Sequence, residues 1–128
     1  MKIGGDMACV LIIDDESGTR MVLAGLVEQI GHKAVEAPDG ETGLRLFSEQ
    51  SIDLVITDIF MPGISGLDVI QKIKDTGSQV KIIAVTAHDS EGEIEHLSLA
   101  KRMGADRAFP KPFNPAEFRE AMVELLSQ

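Results

Sequence analysis

Asp14, Asp15, Asp58, Thr86 and Lys111 each stand where an apolar, β-branched run of the sequence gives way to a loop. Carboxylates gathered in one crevice repel one another and raise each other's pKa values unless a cation sits among them. The donor set is all oxygen, with no His or Cys, which suits a hard ion such as Mg²⁺ better than zinc. Lys111 adds a compact ammonium able to pair with a phosphate or carboxylate oxygen, and Thr86 adds a hydroxyl donor. A carboxylate nucleophile, a hard cation, an ammonium and a hydroxyl together make a phosphoryl-transfer site, where catalysis is mostly positioning and charge neutralisation. Asp58 is the natural acceptor.

The elements that must bring these residues together are legible in the runs before them. Ala8 to Ile13, Leu54 to Thr57, Val80 to Val85 and the short Arg107 to Pro110 stretch read as strands, and His32 to Ala37 as a further short one. Between them, apolar residues recur at helical spacing: Met21, Val22, Leu26, Val27 and Ile30, then Leu44, Leu46 and Phe47, then Leu67, Ile70 and Ile73. Gly31, Gly77 and Gly104 stand where helices would end. Asp39 would cap the second helix, Ser65 with Asp68 spells a capping box for the third, and Ser90 with Glu93 has the same spacing for the fourth. Asn114-Pro115-Ala116-Glu117 launches a last helix with Phe118, Met122 and Leu125 inward. Strands alternating with helices predict an α/β fold: a doubly wound parallel sheet, covered on both faces, of five strands and five helices. The flavodoxin-like strand order 2-1-3-4-5 puts the switch point beside strands one and three, so Asp14, Asp15 and Asp58 would flank the ligand crevice.

A chain of 128 residues fits one domain. Its 44% hydrophobic and 26% charged composition is that of an ordinary globular protein, and its apolar runs are too short to span a bilayer. Residues 1 to 6 lack the apolar core of a secretory signal and read as an N-terminal extension or expression remnant. Cys9 lies within an apolar run and reads as a buried structural thiol, compatible with a cytoplasmic location. A net charge of −9 and a pI near 4.7 argue against nonspecific attraction to nucleic acid or an anionic membrane surface.

The stretches VLIIDDE, DLVITDIFMPGISGLDVI, IIAVTAH and GADRAFPKPF resemble the receiver domain of two-component response regulators, the CheY-like superfamily. The resemblance runs from residue 7 to residue 127, so residues 7–128 are read as a receiver domain. It implies that Asp58 is the phosphoacceptor of a histidine kinase or a histidine phosphotransfer protein. It further implies that Asp15, Asp58 and the backbone carbonyl of Phe60 bind Mg²⁺ directly, with Asp14 holding the ion mainly through water. Lys111 would pair with Asp58 and then with a phosphoryl oxygen, Thr86 would swing toward the phosphoryl group, and the Lys111-Pro112 bond would be cis. Phe60 and His88, two residues beyond Asp58 and Thr86, occupy positions that the family associates with phosphoryl lifetime. Partners would be a separate output protein, or a second copy through the helix 4, strand 5 and helix 5 face, where Ile94, Leu97, Lys101, Arg102 and Ala108 fall. The receiver would act through such a partner or as a relay.

One departure bears on the switch. The family's usual aromatic position, three residues before the Lys, holds Ala108, and Phe109 follows it. Alternation along a strand turns Phe109 to the opposite face, so the output face would change through the Thr86 loop and the following helix, without an aromatic rotamer switch.

Taken singly, each residue has a plainer reading. Strand-end acids are often N-caps, Lys-Pro and Met61-Pro62-Gly63 are ordinary turns, and His32 and His96 read as solvated surface residues. Met21, Met103 and Met122 read as packing residues. Their joint occurrence at consecutive sheet positions is what favours the site. An aspartyl-phosphate phosphatase is the rival enzyme, but such enzymes commonly place an Asp where Phe60 stands. A flavin binder would meet the acids of Asp14-Asp15-Glu16 with its phosphate. A phosphorylation-independent interaction module has no need of the intact set of site residues.

Overall fold

The computed structural model describes residues 7–87 and 93–128. Strands β1 (Cys9–Ile13), β2 (Lys33–Ala37), β3 (Leu54–Asp58), β4 (Lys81–Thr86) and β5 (Arg107–Pro110) alternate with helices α1 (Ser17–Gln29), α2 (Gly40–Glu49), α3 (Gly66–Asp75), α4 (Glu93–Met103) and α5 (Pro115–Leu126). All the strands are parallel, in the order β2-β1-β3-β4-β5, as the sequence predicts. Strands β3 and β4 each run one residue further than expected, so Asp58 and Thr86 are themselves the last ladder residues.

The alternation of side chains splits the core into two layers. Val10, Ile12, Leu54, Ile56, Ile83, Val85 and Phe109 face Leu23 and Val27 of α1 and Phe118, Met122 and Leu125 of α5. Leu11, Ile13, Val55, Ile82 and Ala84 face Val69, Ile70 and Ile73 of α3 and Ala100 of α4. Burying each such aliphatic or aromatic side chain contributes about 1.5–3 kcal/mol, so the central strands are the best-anchored part of the chain and their ends the best place to mount a site.

Asp39 caps α2 by accepting from Thr42 N–H at 2.7 Å, Ser65 and Asp68 form the capping box of α3, and Asn114 caps α5 with Pro115 at its first position. Gly31, Gly77 and Gly104 take positive φ where helices stop, and the Lys111-Pro112 bond is cis. The capping reading for Ser90, the role given to His88 and the extension at residues 1 to 6 lie outside the described residues.

Three expectations are corrected. Met21 is 73% exposed and Val22 53% exposed: Leu26 and Val27 are buried as expected, but in the first turns of α1 it is Leu23 that completes the buried stripe. Cys9, at the solvent-side start of β1, is half-buried, not buried. His32 is half-buried and its Nδ1 accepts from Ala8 N–H at 3.0 Å, and His96 is half-buried against an aromatic ring, so neither is simply solvated.

Candidate functional site

The carboxyl ends of β1, β3, β4 and β5 deliver the expected residues to one edge of the sheet. Asp14 follows β1 and is fully buried, tied to the neighbouring strand end by its N–H donating to Ala37 O at 3.1 Å. Asp58 closes β3 next to it and is 3% exposed, while Asp15 stands exposed in the loop. Carboxylate oxygens of Asp14, Asp15 and Asp58 lie within 4.8 Å of one another. That all-oxygen, acidic group fits a hard divalent cation and could hold one.

Lys111 follows β5, and its N–H donates to Thr86 O at 2.7 Å, which fixes where its side chain starts. Its ammonium lies 2.9 Å from Asp14 Oδ2, 3.0 Å from Glu16 Oε1 and 3.4 Å from Asp58 Oδ2. The expected Lys111–Asp58 pair is therefore present but is the longest of three. Glu16 was not among the sequence-derived candidates; the only signal was its place as the third acid of Asp14-Asp15-Glu16. It occupies the N-cap position of α1 without making a side-chain cap, since its carboxylate is turned to Lys111. Its own N–H donates to Asp14 Oδ1 at 2.9 Å.

Thr86 is fully buried, and its Oγ1 makes no hydrogen bond among the described residues. A buried hydroxyl without an acceptor is costly, so this strand end holds a donor in reserve beside the carboxylates. Phe60 N–H donates to Asp58 Oδ1 at 3.4 Å, and the Phe60 ring, 47% exposed, meets the His96 ring edge-on at 4.7 Å. Phe109 is buried against Phe118 on the α1/α5 side, while Ala108 belongs to the opposite layer, as strand alternation predicts.

The charges act on one another strongly. Burial, with the negative charge of Asp14 beside it, pushes the Asp58 carboxyl up to about 6, against the opposing pull of Lys111. Burial disfavours the charge on Lys111, but hydrogen bonds to Asp14 and Glu16 and the charge of Asp58 outweigh it and raise its pKa. The hydrogen bond and charge of Lys111 lower that of Glu16. Asp58 is thus a buried carboxylate short of positive charge, with one ammonium shared among three acids.

A groove of roughly 480 Å³ adjoins this site, lined by Glu16, Thr19, Val22, Lys111, Phe113 and Pro115 among others. A larger recess of roughly 760 Å³, by Asp53, Lys81 and Gln128, lies at the opposite end of the strands from these carboxylates. No helix among the described residues is long and apolar enough to cross a membrane.

Comparison with known proteins gives a consistent match. Residues 10–123 fit the family described as the response regulator receiver domain. The chain is 30% identical over 117 residues to sporulation initiation phosphotransferase F of Bacillus subtilis, covering 91% of this chain and 92% of that one. It is 41% identical to the probable transcriptional regulator ycf27 of Guillardia theta, covering 91% of this chain but 44% of that protein. The chain thus spans the length of one of these relatives and less than half of the other. Among solved structures, a response regulator receiver domain protein from Clostridium thermocellum superposes with a TM-score of 0.85 at 33% identity, covering 94% of this chain and 95% of that one.

Proposed function

The chain belongs to the response regulator receiver domain family, and from that premise we propose that residues 7–128 accept a phosphoryl group on Asp58 from a phosphohistidine donor, in a Mg²⁺-dependent step that switches a protein-interaction surface. The observation that carries the reading is the sharing of Lys111 among Asp14, Glu16 and Asp58 at the ends of β1 and β3.

In this reading an Asp58 carboxylate oxygen attacks phosphorus and the P–N bond of the phosphoimidazole breaks. The bonding pair stays on the ring nitrogen, which leaves as the neutral imidazole when the other nitrogen carries a proton. Asp15, Asp58 and the Phe60 carbonyl would hold Mg²⁺, with Asp14 reaching it mainly through water. When bound, the ion would neutralise charge on the acceptor and phosphoryl oxygens. Lys111 supplies the remaining positive charge, exchanging part of its contact with the carboxylates for a phosphoryl oxygen. Thr86 turns its unpartnered hydroxyl to another. The chain promotes its own phosphorylation and dephosphorylation but acts as a signalling phosphoacceptor, not an enzyme with a separate substrate.

The donor is a histidine kinase or histidine phosphotransfer protein, and it approaches over the groove by Val22 and Phe113, because Lys111 belongs to both groove and site. The output is a separate protein, or a second copy, on the α4-β5-α5 face, in the cytoplasm, with no direct part for nucleic acid and no membrane insertion.

Intact mass after incubation with Mg²⁺ and acetyl phosphate tests the reading. One added phosphoryl group, lost with EDTA and in Asp58→Asn, is expected. Absence of an adduct, with a phosphohistidine donor as well and with slow hydrolysis checked, would leave a phosphorylation-independent interaction module.

A further inference from the structure

Phe60 has two attachments that lead in different directions. Its N–H donates to Asp58 Oδ1 at 3.4 Å, within the β3–α3 loop, and its ring meets His96 of α4 at a centroid distance of 4.7 Å and an interplanar angle of 86°. An edge-to-face contact of this kind stabilises one ring orientation beyond simple area burial. Phe60 is 47% exposed even with this contact made, so the ring of His96 is a restraint on a side chain that solvent otherwise leaves free to turn.

His96 is well placed to act as the fixed partner. It belongs to α4, which is anchored to the sheet by the fully buried Ala100. Its Nδ1 is buried and makes no hydrogen bond among the described residues. A buried ring nitrogen without a partner is unfavourable in itself, so among the described residues the imidazole is held by packing on Phe60 and not by a hydrogen bond at that atom.

The geometry points to His96 as a positioning residue for the acceptor loop: its ring clamps the Phe60 ring beside Asp58 and so limits the entry of the water that removes the phosphoryl group. This rests on the phosphoacceptor reading above. In the step concerned, the water oxygen forms a new bond to phosphorus and the bond from phosphorus to the Asp58 oxygen breaks. The carboxylate leaves with the bonding pair, and the proton of the water passes to phosphate or solvent.

The test is the first-order decay of the aspartyl phosphate in wild type, His96→Ala, His96→Phe, Phe60→Ala and the His96→Ala/Phe60→Ala double variant. Each is loaded with acetyl phosphate and Mg²⁺ and freed of donor, and its thermal midpoint is recorded alongside. Release of the clamp in His96→Ala is expected to speed decay about three- to tenfold, the ratio that corresponds to one edge-to-face aromatic pair. Phe60→Ala should speed it as well, and adding His96→Ala to Phe60→Ala should change nothing further. His96→Phe, which keeps the ring contact and cannot titrate, should restore the slow decay. An unchanged rate in His96→Ala, an equal acceleration in the Phe60→Ala background, or failure of His96→Phe to rescue would each overturn the inference while leaving the phosphoacceptor reading intact. A wild type that accepts no phosphoryl group would overturn both.

Discussion

Gly66 opens α3 with its α-carbon pressed on the backbone of Asp58: a Cβ built there would overlap the Asp58 carbonyl oxygen and lie 2.7 Å from the Asp58 carbonyl carbon and 2.8 Å from Ile59 Cα. The Gly66 N–H donates to Ile59 O at 2.8 Å, so the start of the helix and the end of the strand are bonded as well as touching. The atoms in the way are backbone and cannot rotate aside.

Gly66→Ala is therefore expected to destabilise the chain by about 1–3 kcal/mol, the usual cost of overpacking, although Ala is the better helix former. Gly25, inside α1 with nothing within 4 Å of its built Cβ, is the control. Gly25→Ala should stabilise by about 0.5–1 kcal/mol. Urea denaturation of the two variants checks both signs, and slower phosphorylation of Gly66→Ala alone would show that the displaced backbone is that of the acceptor.

Asp58 makes metal-free stability depend on pH in a direction opposite to that of most carboxylates. Its pKa is raised in the folded chain from 3.8 to about 6, so between these values the folded state binds more protons than the unfolded one. Stability from this group is then full below about pH 4, falls as pH rises toward 6, and stays reduced above. In EDTA at pH 7.5, Asp58→Asn should be more stable than wild type by about 1–3 kcal/mol, the range set by a shift of this size, with the difference closing near pH 4. Chemical denaturation at the two pH values checks it, and an equal difference at both would sink it. Mg²⁺ should stabilise wild type at pH 7.5 by mass action and do much less for Asp58→Asn.

Lys111 neutralises the same carboxylates that are proposed to hold the cation, so the two positive charges compete. Lys111→Ala should bind Mg²⁺ several-fold more tightly, because one repulsive charge is removed from a partly buried site, and yet lose most phosphoryl transfer. Glu16→Gln should act in the other direction on binding: with the exposed acid neutralised, the ammonium has fewer partners to share and stays closer to Asp14 and Asp58. Titration calorimetry gives both affinities; weaker Mg²⁺ binding by Lys111→Ala would exclude the competition.

Much of this could be read from the chain because each element carries its own signal. Asp39, Ser65 with Asp68, and Asn114 with Pro115 start helices by side-chain chemistry that acts within a few residues, and Asp14, Asp58, Thr86 and Lys111 are marked by the strand ends that deliver them. The buried face of α1 was misread at Met21 and Val22 because an apolar run continuous over Met21, Val22 and Leu23 leaves the helical phase ambiguous. The roles of Glu16 and His96 were not legible, beyond the place of Glu16 as the third acid of Asp14-Asp15-Glu16. One acquires its role from a lysine 95 residues away and the other from a ring contact between a loop and α4, and neither partner is marked by local spacing. The close approach of Gly66 to Asp58 is likewise a product of packing, since a helix-opening glycine looks the same in sequence with or without a neighbour.

Thr86 is proposed to link the site to the face on which output is proposed. Its hydroxyl is buried without a hydrogen-bond partner among the described residues, and removal of an unsatisfied buried polar group in favour of a methyl of similar shape is neutral or favourable. Thr86→Val should therefore fold as well as wild type or better, by up to about 1 kcal/mol, and still take up phosphoryl on Asp58. What it should lose is the conformational response. Ala108 offers no ring to move, and Phe109 is packed against Phe118 in the other core layer, so the change proposed to reach Ile94 and Leu97 on α4 is expected to depend on Thr86. Phosphorylation of wild type is expected to shift the NMR resonances of those two residues, and phosphorylation of Thr86→Val to leave them in place. Shifts that persist in Thr86→Val, or that in wild type are confined to the surroundings of Ala108 with Thr86 unmoved, would assign the switch to β5 instead.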